Sequence, residues 1–182
     1  MKKFFALMFT AMFLFAGCGG NSKPKTESPP TQQQQEQPKP APTTWNKDDL
    51  NPQTNGNIAV AANLLRKNSD LNSMAIDVAP EDVMKRPWDY YGQVIRFSGT
   101  AAVLQDYPAG SDLGKILGGE CCEVVLSASD ASVVVIDGML LGSTKGIREG
   151  DYVTFVGYPC GIMEVPNKLG GKFSHLVVIG KI

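Results

Sequence analysis

The chain has 182 residues, enough for one domain beyond a leader. Its formal charge is −1, but from Trp45 onward 12 Lys and Arg face 16 Asp and Glu, a net −4. That mildly acidic balance lacks the electrostatic footprint of a nucleic-acid binder.

Lys2 and Lys3 open the chain, and Phe4 to Phe15 is apolar except for Thr10. Gly17 stands before Cys18 as a small residue at a cleavage position. A positive start, an apolar run and a small residue are the parts of an export signal, predicted over residues 1–17. The apolar run is about a dozen residues, short of the roughly 20 that a membrane-spanning helix needs. Phe15-Ala16-Gly17-Cys18 resembles the lipobox of bacterial lipoproteins, with Phe15 where that family usually has Leu. The resemblance implies cleavage before Cys18 and a diacylglyceryl thioether on its sulfur. At about 0.8 kcal/mol per buried methylene, two or more chains hold where one would not. Lipid-anchored placement in the cell envelope follows as an expectation, on the cytoplasmic membrane or on an outer membrane if there is one. The competing reading is a plain secretory signal with an incidental cysteine.

Residues 18–44 are predicted to be a tether. The stretch 21–44 holds six prolines and the run Gln32 to Gln35, with no aliphatic side chain larger than Ala. Such a segment cannot bury enough apolar area to offset its ordering entropy. As a polyproline spacer it would reach about 70 Å. A helical preamble is expected over residues 45–78. Ile58, Ala61, Ala62 and Leu65 are spaced as one helix stripe, with Asn57 as a cap and Arg66 and Lys67 at the carboxyl end. A second short helix is predicted at Pro80 to Lys85, started by Pro80 and stopped by Pro87, with Val83 and Met84 as its docking residues.

From Gln93 the apolar period becomes two, the mark of a strand with one buried face. Gly99 suggests a bulge or bend that lets this strand serve two sheets. A Gly- and Pro-containing loop follows over 106–120. Cys121 to Leu126 and Ser132 to Ile136 read as a hairpin around Ala128-Ser129-Asp130-Ala131. Gly138 to Gly146 reads as a connection. Asp151 to Tyr158 and Phe173 to Ile179 are the last two strands, separated by the Pro- and Gly-rich stretch 159–171. The expected fold is mainly β: a five-stranded, closed, OB-like barrel over residues 79–182. The run Asp82 to Thr100, with its proline, aromatics, glycine and V-I-R-F-S-G strand, resembles the opening of OB-fold domains in bacterial lipoproteins. Ile147 to Gly157 resembles their fourth strand, entered through Gly150-Asp151 and left through Gly157. The resemblance implies a fold and carries over no catalytic residue.

Once Cys18 is acylated, Cys121, Cys122 and Cys160 remain. They read either as one Cys122–Cys160 disulfide or as three free thiols. The bridge would close about 39 residues and contribute up to ~4 kcal/mol in the chain-entropy view. Two adjacent cysteines, a distant third and one histidine lack zinc-ligand spacing, so no metal and no cofactor are expected. His175, the sole histidine, reads as an ordinary strand residue, because neighbouring Ser174 would point to the opposite face. Asp106, Asp112, Asp130, Asp137 and Asp151 read as turn residues.

Trp88, Tyr90 and Tyr91 are expected to plug the end of the barrel. Tyr107, Tyr158, Lys168 and Lys172 are the ligand-binding candidates, aromatics to stack and lysines to meet an anion at a mouth between the two long loops. The leading functional expectation is a non-enzymatic binding or adaptor module held on membrane lipid through Cys18. Its partner would be an envelope protein or a carbohydrate. Single-stranded nucleic-acid binding is the second reading and an envelope hydrolase the third.

Overall fold

The computed structural model describes residues 42–68, 70–128, 134–168 and 170–182. The export signal, Cys18, nearly all of the tether and the turn expected beyond Ala128 lie outside the described residues. Among the described residues no helix is long and apolar enough to cross a membrane.

The elements in chain order are α1 (Asn57–Lys67), β1 (Ile76–Asp77), α2 (Pro80–Lys85), β2 (Ile95–Tyr107), α3 (Asp112–Leu117), β3 (Cys121–Ala128), β4 (Val135–Leu141), β5 (Tyr152–Pro166) and β6 (Lys172–Lys181). The chain is mainly β. The described residues form a sheet of order β1-β2-β3-β4-β6-β5, and β5 also pairs with β2, so five strands form a ring. The sixth strand, β1, is two residues long and lies parallel beside the start of β2. β4 and β6 are parallel, and the other ring pairs are antiparallel.

Closure depends on β2 turning from one neighbour to another. Ile95 to Thr100 pair with β5, and Gly99 to Tyr107 pair with β3. Gly99 belongs to both ladders, and the register slips just beyond it, between Ala101 and Val103. A bulge bends a strand and sharpens its twist, which the expected role of Gly99 required.

Alternation then sorts the side chains. Ile95, Phe97, Cys122, Val124, Leu126, Ile136, Leu140, Phe155, Leu176 and Val178 meet inside the ring. Phe97 and Phe155 are register partners with ring centroids 5.5 Å apart. Phe155 takes the space that a side chain at position 138 would need: a Cβ there would lie 3.0 Å from its ring. Gly138 is therefore a strand residue inside β4 rather than part of a connection. α2 spans the predicted residues, and its Val83 and Met84 pack on this interior cluster.

A second core covers the outer face of the ring. Tyr158, Cys160, Val177, Ile179 and Cys121 pack there with Ala61, Ala62 and Leu65 of α1 and Leu117 of α3. The segment 106–120 is thus not wholly a loop. β2 runs to Tyr107, and α3 is capped by Ser111, whose Oγ accepts from Gly114 N. Arg66 does not simply answer the dipole of α1, because its Nη1 donates to Leu117 O at the end of α3.

The stretch 159–171 departs most from expectation. β5 continues through it to Pro166 and pairs with β6 as far as Lys172, leaving a turn of only five residues, 167–171. A register shift between Pro159 and Gly161 absorbs the proline. The outer edge at this point is satisfied by residues 42–56, which form a strap. Ile162 N donates to Leu50 O at 2.8 Å, and Asn55 Nδ2 donates to Cys160 O at 2.8 Å. Asn57, at the first position of α1 rather than its cap, also reaches Cys160 O. The strap comes this close because position 161 is Gly: at φ 145° it has no Cβ to run into the Leu50 carbonyl.

Candidate functional site

The strap is laced by local hydrogen bonds. Asn46 Oδ1 accepts from the backbone of Asp48 and Asp49, Asp49 Oδ1 from Asn51 N, and Asn51 Oδ1 from Gln53 N. These are successive side-chain-to-backbone turns of the kind that Asn and Asp favour. The Thr54 hydroxyl donates to Asp49 Oδ2 at 2.6 Å. That bond and the Asn51 amide hold the Asp49 carboxyl below its usual range. Between this strap and the β5–β6 hairpin lies a groove of about 510 Å³. Leu50, Ile162 and Met163 supply its apolar surface, and Asp49, Asn51, Gln53, Glu164 and Lys172 supply its polar groups. Lys172 Nζ is paired with Glu164 Oε2.

Met163 is the register partner of His175, so the groove adjoins the outer face of β6. A diagonal of polar side chains crosses four strands there. Tyr107 on β2 donates its hydroxyl to Glu123 Oε2 on β3 at 2.6 Å. Glu123 lies against Asp137 on β4, and Asp137 Oδ2 is 4.0 Å from His175 Nδ1 on β6. Each residue is two positions from the register partner of the one before: Tyr107 pairs with Cys121, Glu123 with Met139 and Asp137 with Val177. Such diagonal neighbours are within reach of long side chains.

Asp137 is 2% exposed. Burial, then the Glu123 charge and a hydrogen bond shared with Glu123, push its carboxyl up to about 7. Burial pulls the His175 imidazole below its ordinary value. At 4.0 Å, with the acid favoured in its protonated form and the imidazole in its neutral form, the two do not make an ion pair. Asp137 Oδ1 and His175 Nδ1 each lack a hydrogen-bond partner among the described residues. The hydrogen bond to Glu123, followed by burial, raises the Tyr107 phenol to about 12. This arrangement can hold and share a proton. It sets no nucleophile beside His175: Ser174 pairs with Glu164 while His175 pairs with Met163, so the two point to opposite faces.

The predicted ligand set is separated by the fold. Tyr158 is 1% exposed in the outer core, where its hydroxyl accepts from Asn68 Nδ2, so it cannot stack a ligand. Tyr107 is half-buried and held by Glu123. Lys168 is exposed in the turn 167–171, and Lys172 alone of the four lines the groove. The Cys122–Cys160 bridge does not form: the three thiols are free and buried, with Cys122 inside the ring and Cys160 in the outer core. Burial pushes all three up, Cys122 to about 11, which leaves them protonated near neutrality. Asp137 is not a turn residue but sits in the middle of β4. Its signal was a single carboxyl inside the apolar run Val133-Val134-Val135-Ile136-Asp137-Gly138-Met139-Leu140, and Glu123 stands likewise in Cys121-Cys122-Glu123-Val124-Val125. No family model, no curated protein and no solved structure matches this chain.

Proposed function

We propose that this chain is an envelope lipoprotein, anchored through Cys18, whose ring is an OB-like barrel serving as a non-enzymatic binding module. The barrel reading draws support from the strand order, from the parallel β4–β6 pair and from a first long strand that bends to close the circuit. The anchor draws support from the Phe15-Ala16-Gly17-Cys18 sequence alone. The observation that carries the binding role is the groove of about 510 Å³ between strap and hairpin. Its size is that of a small-ligand site. Its side-chain amides, carboxylates and ammonium stand over Leu50, Ile162 and Met163, a mixture suited to hydroxyl groups that both donate and accept. A carbohydrate chain is therefore the favoured ligand, and an extended protein segment is the competing one.

The compact unit Pro38–Ile182 contains both cores and every hydrogen bond described above, so it is the piece to express for a binding screen. Envelope polysaccharide fractions should be retained by it and lost, by about tenfold in affinity, with Gln53→Ala combined with Lys172→Ala. Retention that survives both changes removes the groove from the proposal. Mass analysis of the mature full-length protein tests the anchor: an unacylated Cys18 ends that part.

A further inference from the structure

A second cavity, sharing no lining residue with the groove, opens where β3 begins and β4 and β6 finish. It measures about 370 Å³. Its floor is the end of the interior core: Cys122 and Leu140 are register partners, 1% and 2% exposed. Ile147, which packs on the same core, forms a wall. The rim carries Lys145 and Lys181, the latter half-buried, with Ser143 beside them.

The charges are arranged one-sidedly. Three lysines, Lys85, Lys115 and Lys172, and two arginines, Arg86 and Arg96, find carboxylates elsewhere on the molecule, and no described carboxylate pairs with Lys145 or Lys181. Asp106 and Glu120 line a neighbouring cavity of about 240 Å³. Gly142 and Ser143 lie along that cavity, and Asp106 is occupied there, accepting from Thr144 N at 2.8 Å. The 370 Å³ cavity thus joins the apolar side chains of Ile147 and Ile182 to two ammonium groups that have no carboxylate partner among the described residues. Lysine stems can lie on apolar surface while their heads seek an anion.

We propose that this cavity binds an amphipathic anion: an alkyl chain laid on Ile147 and Ile182, with its carboxylate or phosphate between Lys145 and Lys181. The same chemistry is offered by an anionic lipid in a bilayer and by a free fatty acid. The site does not depend on the groove, so either can fail without the other.

The test is a titration of the isotope-labelled Pro38–Ile182 unit, followed residue by residue by nuclear magnetic resonance. Decanoate and decyl phosphate, kept below their micelle concentrations, should give saturable shifts at residues 140–147 and 181. Decanol and inorganic phosphate should each bind at least tenfold more weakly. Lys145→Ala with Lys181→Ala should weaken decanoate about tenfold while the melting temperature stays within a few degrees. Equal binding of decanol, shifts confined to other regions, or undiminished binding by the double variant overturns the proposal. Phosphatidylglycerol vesicles separate the sources. Co-sedimentation that phosphatidylcholine vesicles do not give, and that the double variant loses, supports a bilayer lipid. Decanoate binding without co-sedimentation supports a free amphiphile.

Discussion

The two cores of this protein obey different rules. The interior cluster is apolar from β2 round to β6, with one protonated thiol, because a closed ring satisfies its own backbone and asks nothing polar of the side chains within it. The outer core is roofed by a strap and two helices, which are not strands and cannot extend the ladder. Asn55 and Asn57 are buried there to meet a β5 carbonyl, and Asp137 is buried on the same outer side of the sheet. Polar burial follows the change from sheet-on-itself packing to sheet-under-loop packing.

Substitution is the most direct way to break this contrast. Phe155→Ala, inside the ring, should cost about 3–5 kcal/mol in denaturant unfolding. Tyr158→Phe, equally buried outside it, should cost only about 1 kcal/mol, the worth of its bond from Asn68. Equal losses would erase the distinction. Next in size is Gly161→Ala, which places a Cβ against the Leu50 carbonyl at an unfavourable φ. A loss of about 2–3 kcal/mol is expected, with faster hydrogen exchange confined to the strap. Uniformly faster exchange would mean that the strap and ring unfold as one.

Proton linkage sharpens the comparison further. Asp137 titrates at about 7 in the fold against an ordinary 3.8. Its contribution to stability is therefore full below pH ~4 and is lost as pH rises through 7, at up to about 1.4 kcal/mol per pH unit. His175 acts in the opposite sense. Its lowered value contributes above an ordinary 6.5 and is lost as pH falls through the folded value. Below pH 6.5 the two oppose each other, so the difference between wild type and Asp137→Asn isolates the acid. That difference should favour the variant progressively from pH 4 to pH 8, and a flat difference would place Asp137 in a solvated setting. The smallest effect belongs to Lys172→Ala, which breaks an exposed pair and should change stability by less than about 1 kcal/mol.

Local pattern carried much of the fold. The stripe Ile58, Ala61, Ala62, Leu65 and the proline-bounded α2 depend on neighbours three or four residues away, and both form where expected. The reach of β5 was not legible, because Pro159 and Gly161 normally interrupt a strand. Here the interruption is repaired by Leu50 and Asn55, more than a hundred residues earlier in the chain. The candidate site failed for a similar reason. The local pattern puts Tyr107 in a loop and Tyr158 at the last position of a strand, beside a loop, and extension of both strands draws the two toward the outer core. The diagonal of Tyr107, Glu123, Asp137 and His175 requires the register of four strands, which no single stretch contains.

The seam between strap and β5 also has a mechanical meaning. From Pro42 onward the strap is joined to the rest of the fold through Trp45 and the Asn46–Asn57 bonds, then through Leu50 and Asn55 on β5. Tension applied from that direction meets these few bonds one after another, as in peeling, before it reaches the interlocked strands. Under load the seam would part first, baring the Cys160 thiol while the ring stays whole.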